Sequence, residues 1–177
     1  ITIVGDNLNV TNNTQIVAQQ NHTNVTDFNI ENSFVSANEV SLVADSITVA
    51  QKGYVIGDSA ALTGIDLVVE SNGVIYAKQD VSIEADQINN RGTVKSGEIT
   101  SVIANELIND NEIISDEVVQ INGESVINNG IIQSGKDATI EAVTLLNNGS
   151  VNTTDELSII ATDYINNGNQ YSYSSTS

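Results

Sequence analysis

Proline, cysteine, methionine and tryptophan are all absent from the 177 residues, and two phenylalanines and five tyrosines are the only aromatic side chains. Without cysteine there is no disulfide framework, no thiolate metal site and no cysteine nucleophile. With aromatics at 4%, a globular core centred on large rings is excluded. The apolar 40% is instead almost all Val, Ile, Leu and Ala, the side chains that fill flat β layers. Basic residues are scarce as well: 5 Lys and Arg against 23 Asp and Glu leave a formal charge of -18. That field repels phosphate backbones and anionic lipid headgroups, so nucleic acid is not expected as a partner. No run of about 18 apolar residues is present to cross a bilayer, and membrane insertion is not expected. No basic segment followed by an apolar stretch opens the chain. It starts at Ile1, and the expectation is an excised segment of a longer array.

Charge of this size alone suggests disorder, but disordered chains are depleted in Val and Ile, and this one is rich in both. A folded chain is therefore expected, and an internal repeat specifies which fold. The small residue that closes each apolar-x-apolar-x run falls at Gly5, Val25, Ala44, Gly64, Ala85, Ala104, Gly123, Ala142 and Ala161, at spacings of 19 to 21. Two positions earlier stand Ile3, Leu42, Leu62, Ile83, Val102, Ile121, Ile140 and Ile159, with Thr23 as the exception. Three positions later stand Leu8, Phe28, Ile47, Leu67, Ile88, Leu107, Val126, Leu145 and Tyr164. The segments alternate with period two and are rich in β-branched residues, which fits strands and not helices. A unit this short cannot bury its apolar side alone, whereas stacked units can. The expected fold is all-β: a right-handed parallel β-helix with rungs of about 19 to 21 residues and three short strands per rung. One domain is expected over 1–168, with 169–177 as a C-terminal tail or cap. Proline has no place in strands paired on both sides, because it cannot donate to the ladder.

Asparagine is abundant, at 24 residues. Asn90, Asn109, Asn128, Asn147 and Asn166 recur at one phase of the repeat and predict a structural ladder of side-chain amides bonded from rung to rung. Six N-x-S/T sequons occur, at Asn9, Asn12, Asn21, Asn24, Asn148 and Asn152. The four in 9–26 suggest a polar surface loop and are candidate glycosylation acceptors. The single histidine, His22, lies in that stretch and has no second histidine or cysteine with which to hold a metal. No G-x-S-x-G elbow is present. Acids follow the small column at Asp6, Asp27, Asp45, Asp66, Asp86, Glu106, Glu124 and Asp163, where a solvated strip is expected rather than a cation ladder. Lys52, Lys78, Arg91, Lys95 and Lys136 look scattered over the repeat. No catalytic residue, metal ligand or cofactor site is expected.

The segments INNGIIQSGKDATIEA, LNNGSVNTTDELSIIA and INNRGTVKSGEITSVIA resemble the repeats of filamentous haemagglutinin and its relatives, the exoproteins of bacterial two-partner secretion. The resemblance covers residues 81–168 well and the first 80 more loosely. It implies a secreted or cell-surface location, an outer-membrane transporter partner during export, and a rod that supports adhesion to a receptor, protein or glycan, on a host or neighbouring cell. The alternative it implies is a stalk or receptor-binding segment of a contact-dependent growth inhibition toxin. A polysaccharide-degrading β-helix enzyme ranks below both, since the chain shows no basic residue set beside clustered carboxylates.

Overall fold

The computed structural model describes residues 1–173, and within them the chain contains strands and no helix. The strands are β1 (Thr2–Val10), β2 (Gln15–Val17), β3 (Gln20–Ile30), β4 (Ser33–Val49), β5 (Gly53–Val69), β6 (Val74–Ala77), β7 (Val81–Asn90) and β8 (Thr93–Ser96). They continue as β9 (Ile99–Asn109), β10 (Glu112–Ser115), β11 (Val118–Asn128), β12 (Ile131–Ser134), β13 (Ala138–Asn147), β14 (Ser150–Thr153), β15 (Leu157–Asn166) and β16 (Asn169–Ser172). Every pairing between them is parallel, and together they form a β-solenoid of about nine turns. All nine residues from Gly5 to Ala161 stand in one register column. Rungs ~4.8 Å apart make a rod of roughly 40 Å.

The three segments of a rung become three faces. In β7 the inward residues are Val81, Ile83 and Ala85, the alternation slips at Asp86 and Gln87, and it resumes at Ile88 and Asn90. The slip is a corner at which pairing continues: Ala85 pairs with Ala104 and Gln87 with Glu106, while Asp86 and Asn105 are passed over. First and second faces thus belong to one bent strand, and the third is here the separate four-residue strand β8, whereas the longer β4 and β5 run from the third face through the first and second without a break. The small column explains the bend, since Ala or Gly at the inner wall lets the chain turn without collision.

One core runs the length of the coil. Leu42, Leu62, Ile83, Val102, Ile121 and Ile140 are stacked and buried on the first face. Thr23 interrupts this column for a visible reason: its hydroxyl donates at 2.8 Å to Oδ1 of Asn21, and both side chains lie inside the coil.

The corner between the second and third faces divides the rod. In the first four rungs the inward residue there is Val10, Ile30, Val49 or Val69, and the turns that follow contain left-handed residues: Asn12, Asn13, Asn32, Lys52 and Asn72, with φ from 48 to 66°. From Asn90 onward the column is asparagine, the turn is two residues shorter than the one after Val69, and no left-handed residue occurs among those described. The early spacings are irregular because turns at this corner differ in length and because the connection from the third face back to the first gains a residue after Tyr76; from Asn90 onward both are constant. Residues 169–172, expected as tail or cap, pair in register with Ser150–Thr153 as a further strand of the third face. The rest of that tail, 174–177, lies outside the described residues.

Candidate functional site

The five asparagines form a continuous chain of hydrogen bonds. Nδ2 of Asn90 donates to Oδ1 of Asn109 at 2.8 Å, Asn109 to Asn128 at 2.8 Å, Asn128 to Asn147 at 2.8 Å and Asn147 to Asn166 at 2.7 Å. The same nitrogens donate to the backbone carbonyls of Glu112, Ile131, Ser150 and Asn169 in the following rung. These bonds hold the short turn in place. With donors and acceptors engaged, the buried part of the column offers nothing to a ligand. A second, exposed amide chain runs beside it in the opposite sense: Asn167 donates to Asn148, Asn148 to Asn129, and Asn129 to the carboxylate of Asp110.

A hydroxyl column at the next corner was legible in the sequence as Ser96, Ser115, Ser134, Thr153 and Ser172 but carries no apolar-polar contrast that singles it out. Ser96, Ser115, Ser134 and Thr153 are buried. Ser96 donates to Ser115 at 3.1 Å, Ser115 donates to the carbonyl of Glu98 at 2.6 Å, and Ser134 bonds the carbonyl of Glu117.

Residues 9–26 are not a surface loop. They comprise the end of β1, the turn 11–14, β2, the two-residue connection 18–19 and much of β3, and His22 sits exposed on β3 between Thr2 and Ser41. Among the candidate glycosylation acceptors, Asn9, Asn12 and Asn24 are exposed, but Asn21 is completely buried, and so is Thr23, the hydroxyl residue of its sequon. Alternation places Asn21 inward, where the solvent-facing reading of an N-x-T motif fails.

The basic residues are not scattered. Lys52 and Arg91 stand in turns leading into the third face, Lys95 lies on it, and Lys78 and Lys136 lie in turns leaving it. Four of them form exposed ion pairs: Lys78 with Asp58 at 2.6 Å, Lys136 with Glu117 at 2.7 Å, Lys95 with Asp116 at 3.2 Å and Arg91 with Asp110 at 3.8 Å. The hydrogen bond and charge of Asp58 hold the Lys78 ammonium above its ordinary pKa, and Glu117 does the same for Lys136. Exposed pairs of this kind add little stability.

The acidic corner lies between the first and second faces and resolves into two columns. Asp6, Asp45, Asp86 and Glu124 occupy the passed-over position, while Asp27, Asp66, Glu106 and Asp163 occupy the next. Adjacent rungs alternate between columns, so carboxylates in one column are at least two rungs, about 10 Å, apart. Staggering relieves the repulsion that a divalent ion would otherwise relieve, and no group of three or more metal-ligating side chains occurs among the described residues. Thermal melts in NaCl and in CaCl₂ matched for ionic strength are expected to coincide. A calcium-specific rise in Tm that disappears in an Asp45→Asn, Asp66→Asn, Asp86→Asn triple variant would make the corner a metal ladder, because a ligand held only by the folded state stabilises it.

The indentations of the surface are shallow troughs along the faces, such as one of about 300 Å³ over Ser101, Gln120 and Thr139. No protein-family model, curated protein or solved structure matches the chain. Fold and surfaces define a parallel β-solenoid whose chemistry is displayed on open faces.

Proposed function

We propose that this solenoid is a structural and binding segment of a secreted bacterial adhesin, exported through an outer-membrane transporter and displayed at the cell surface or released. The observation that carries the reading is the contrast between interior and exterior in the last five rungs. The inward column repeats nearly one residue type through four of them, Val94, Ile113, Ile132 and Val151, and ends on half-buried Gln170, whereas the neighbouring outward column reads Lys95, Ile114, Gln133, Asn152 and Tyr171. Side chains that vary freely over a constant frame suit a rod that presents broad surfaces to a protein or glycan receptor. The likeness of the 81–168 repeats to filamentous haemagglutinin supports the same assignment.

The test is saturable attachment of the fluorescently labelled chain to cells. Attachment to cultured epithelial cells, competed by unlabelled chain, is the expected result. Attachment only to bacterial sister cells would favour the growth-inhibition stalk instead, and the absence of attachment to either at micromolar concentration would overturn the adhesin reading.

A further inference from the structure

We propose that the edge joining the first and second faces is a docking surface for a cationic, partly apolar polypeptide segment. Three independent features meet there. The first is the charge: among the described residues none of the eight staggered carboxylates forms an ion pair, and all five Lys and Arg side chains, with the four ion pairs they make, lie on or beside the third face. The second is apolar exposure on the same edge. Val4, Val43, Ile65, Ile103, Val143 and Ile160 are 42 to 77% exposed, each on a different rung and each in one of the two outward columns that flank the small column.

The third feature is shape. Between Thr63 and Val143 the edge forms a trough of about 400 Å³, floored by the small column Gly64, Ala85, Ala104 and Gly123. Glu84, Asp86 and Glu124 line it together with the aliphatic groups of Ile103 and Val143. It spans five rungs, about 20 Å at ~4.8 Å each, the reach of roughly six extended residues. Neither component alone selects such a partner. Carboxylates without apolar groups attract any cation, and aliphatic groups without charge suit any apolar chain, whereas the mixture is complementary to lysines or arginines interspersed with aliphatic residues. A second copy of this chain is disfavoured as occupant by the net charge of -18.

The surface is tested with fluorescently labelled hexapeptides titrated against the whole chain near 0.15 M salt. The peptide Lys-Leu-Lys-Leu-Lys-Leu should bind at least about tenfold more tightly than its serine-for-leucine analogue, and its glutamate-for-lysine analogue should not bind. Removing charge with Asp86→Asn and Glu124→Gln together should weaken binding at least about fivefold, as should the charge-neutral pair Ile103→Ser and Val143→Ser. The pair Asp116→Asn and Asp137→Asn makes the same charge change beside the third face and should leave affinity within about twofold. All substitutions are on exposed side chains, and unchanged melting of each variant verifies the fold. The proposal is overturned if the far pair weakens binding as much as the edge pair, if the serine analogue binds equally well, or if the Ile103 and Val143 variant binds like the parent. None of these outcomes depends on whether the chain attaches to cells, so the two readings stand or fall separately.

Discussion

Ile140→Asp should abolish the fold or lower Tm drastically, with a loss of more than about 4 kcal/mol. Ile140 is fully buried, with Ile121 in register on one side and Ile159 on the other. The substitution deletes the packing of a buried aliphatic side chain and places a carboxyl where no donor or cation faces it. In a solenoid each rung is templated only by its neighbours, so a defect in the eighth rung also removes the platform for the ninth. Thermal or urea unfolding followed by circular dichroism measures the loss, and an unchanged midpoint would remove this column from the core.

A pair of reciprocal substitutions should show that the two halves of the rod use incompatible corners. Asn128→Val puts into the asparagine column a side chain that the same column holds at Val49 and Val69, yet it should cost about 3 kcal/mol or more. It breaks the bonds from Asn109, to Asn147 and to the carbonyl of Ser150, and leaves their partners buried without water. Val49→Asn, the converse change, should also destabilise, by ~2 kcal/mol or more, because it strands an amide between Ile30 and Val69 beside a longer turn already shaped by left-handed Lys52. Denaturant melts of both variants check this. If either variant were as stable as the parent, the amide chain would be incidental to the turn.

The register was legible because alternation and a constant repeat length write the inward columns directly into the sequence, and every anchor from Gly5 to Ala161 fell where the spacing placed it. Asn21 was misplaced because a lone polar pair inside the coil, Asn21 with Thr23, looks like any hydrophilic stretch when read along the chain. The grouping of the five cations was hidden for a related reason: Lys52, Lys78 and Lys95 fall at different phases of the repeat, and only the folded corners reveal that those phases lie on one side. The acidic strip was visible, but its division into alternating columns depends on a passed-over residue at the bend, which a one-dimensional spacing does not distinguish from its neighbour.

The exposed amide chain has a consequence for chemical ageing. Asn129, Asn148 and Asn167 are each followed by glycine, the pairing most prone to lose side-chain ammonia when the glycine nitrogen attacks the amide carbonyl and closes a succinimide ring. Here the nitrogens of Gly130, Gly149 and Gly168 are committed to carbonyls of the preceding rung at 2.9 to 3.0 Å, and all three side chains are tethered along the rod. Neither reacting group is free to approach the other while the rungs stay stacked. Three of the most perishable dipeptides in the chain are thereby kept intact by folding itself, and their conversion to aspartate or isoaspartate becomes a record of how long the C-terminal rungs have spent open.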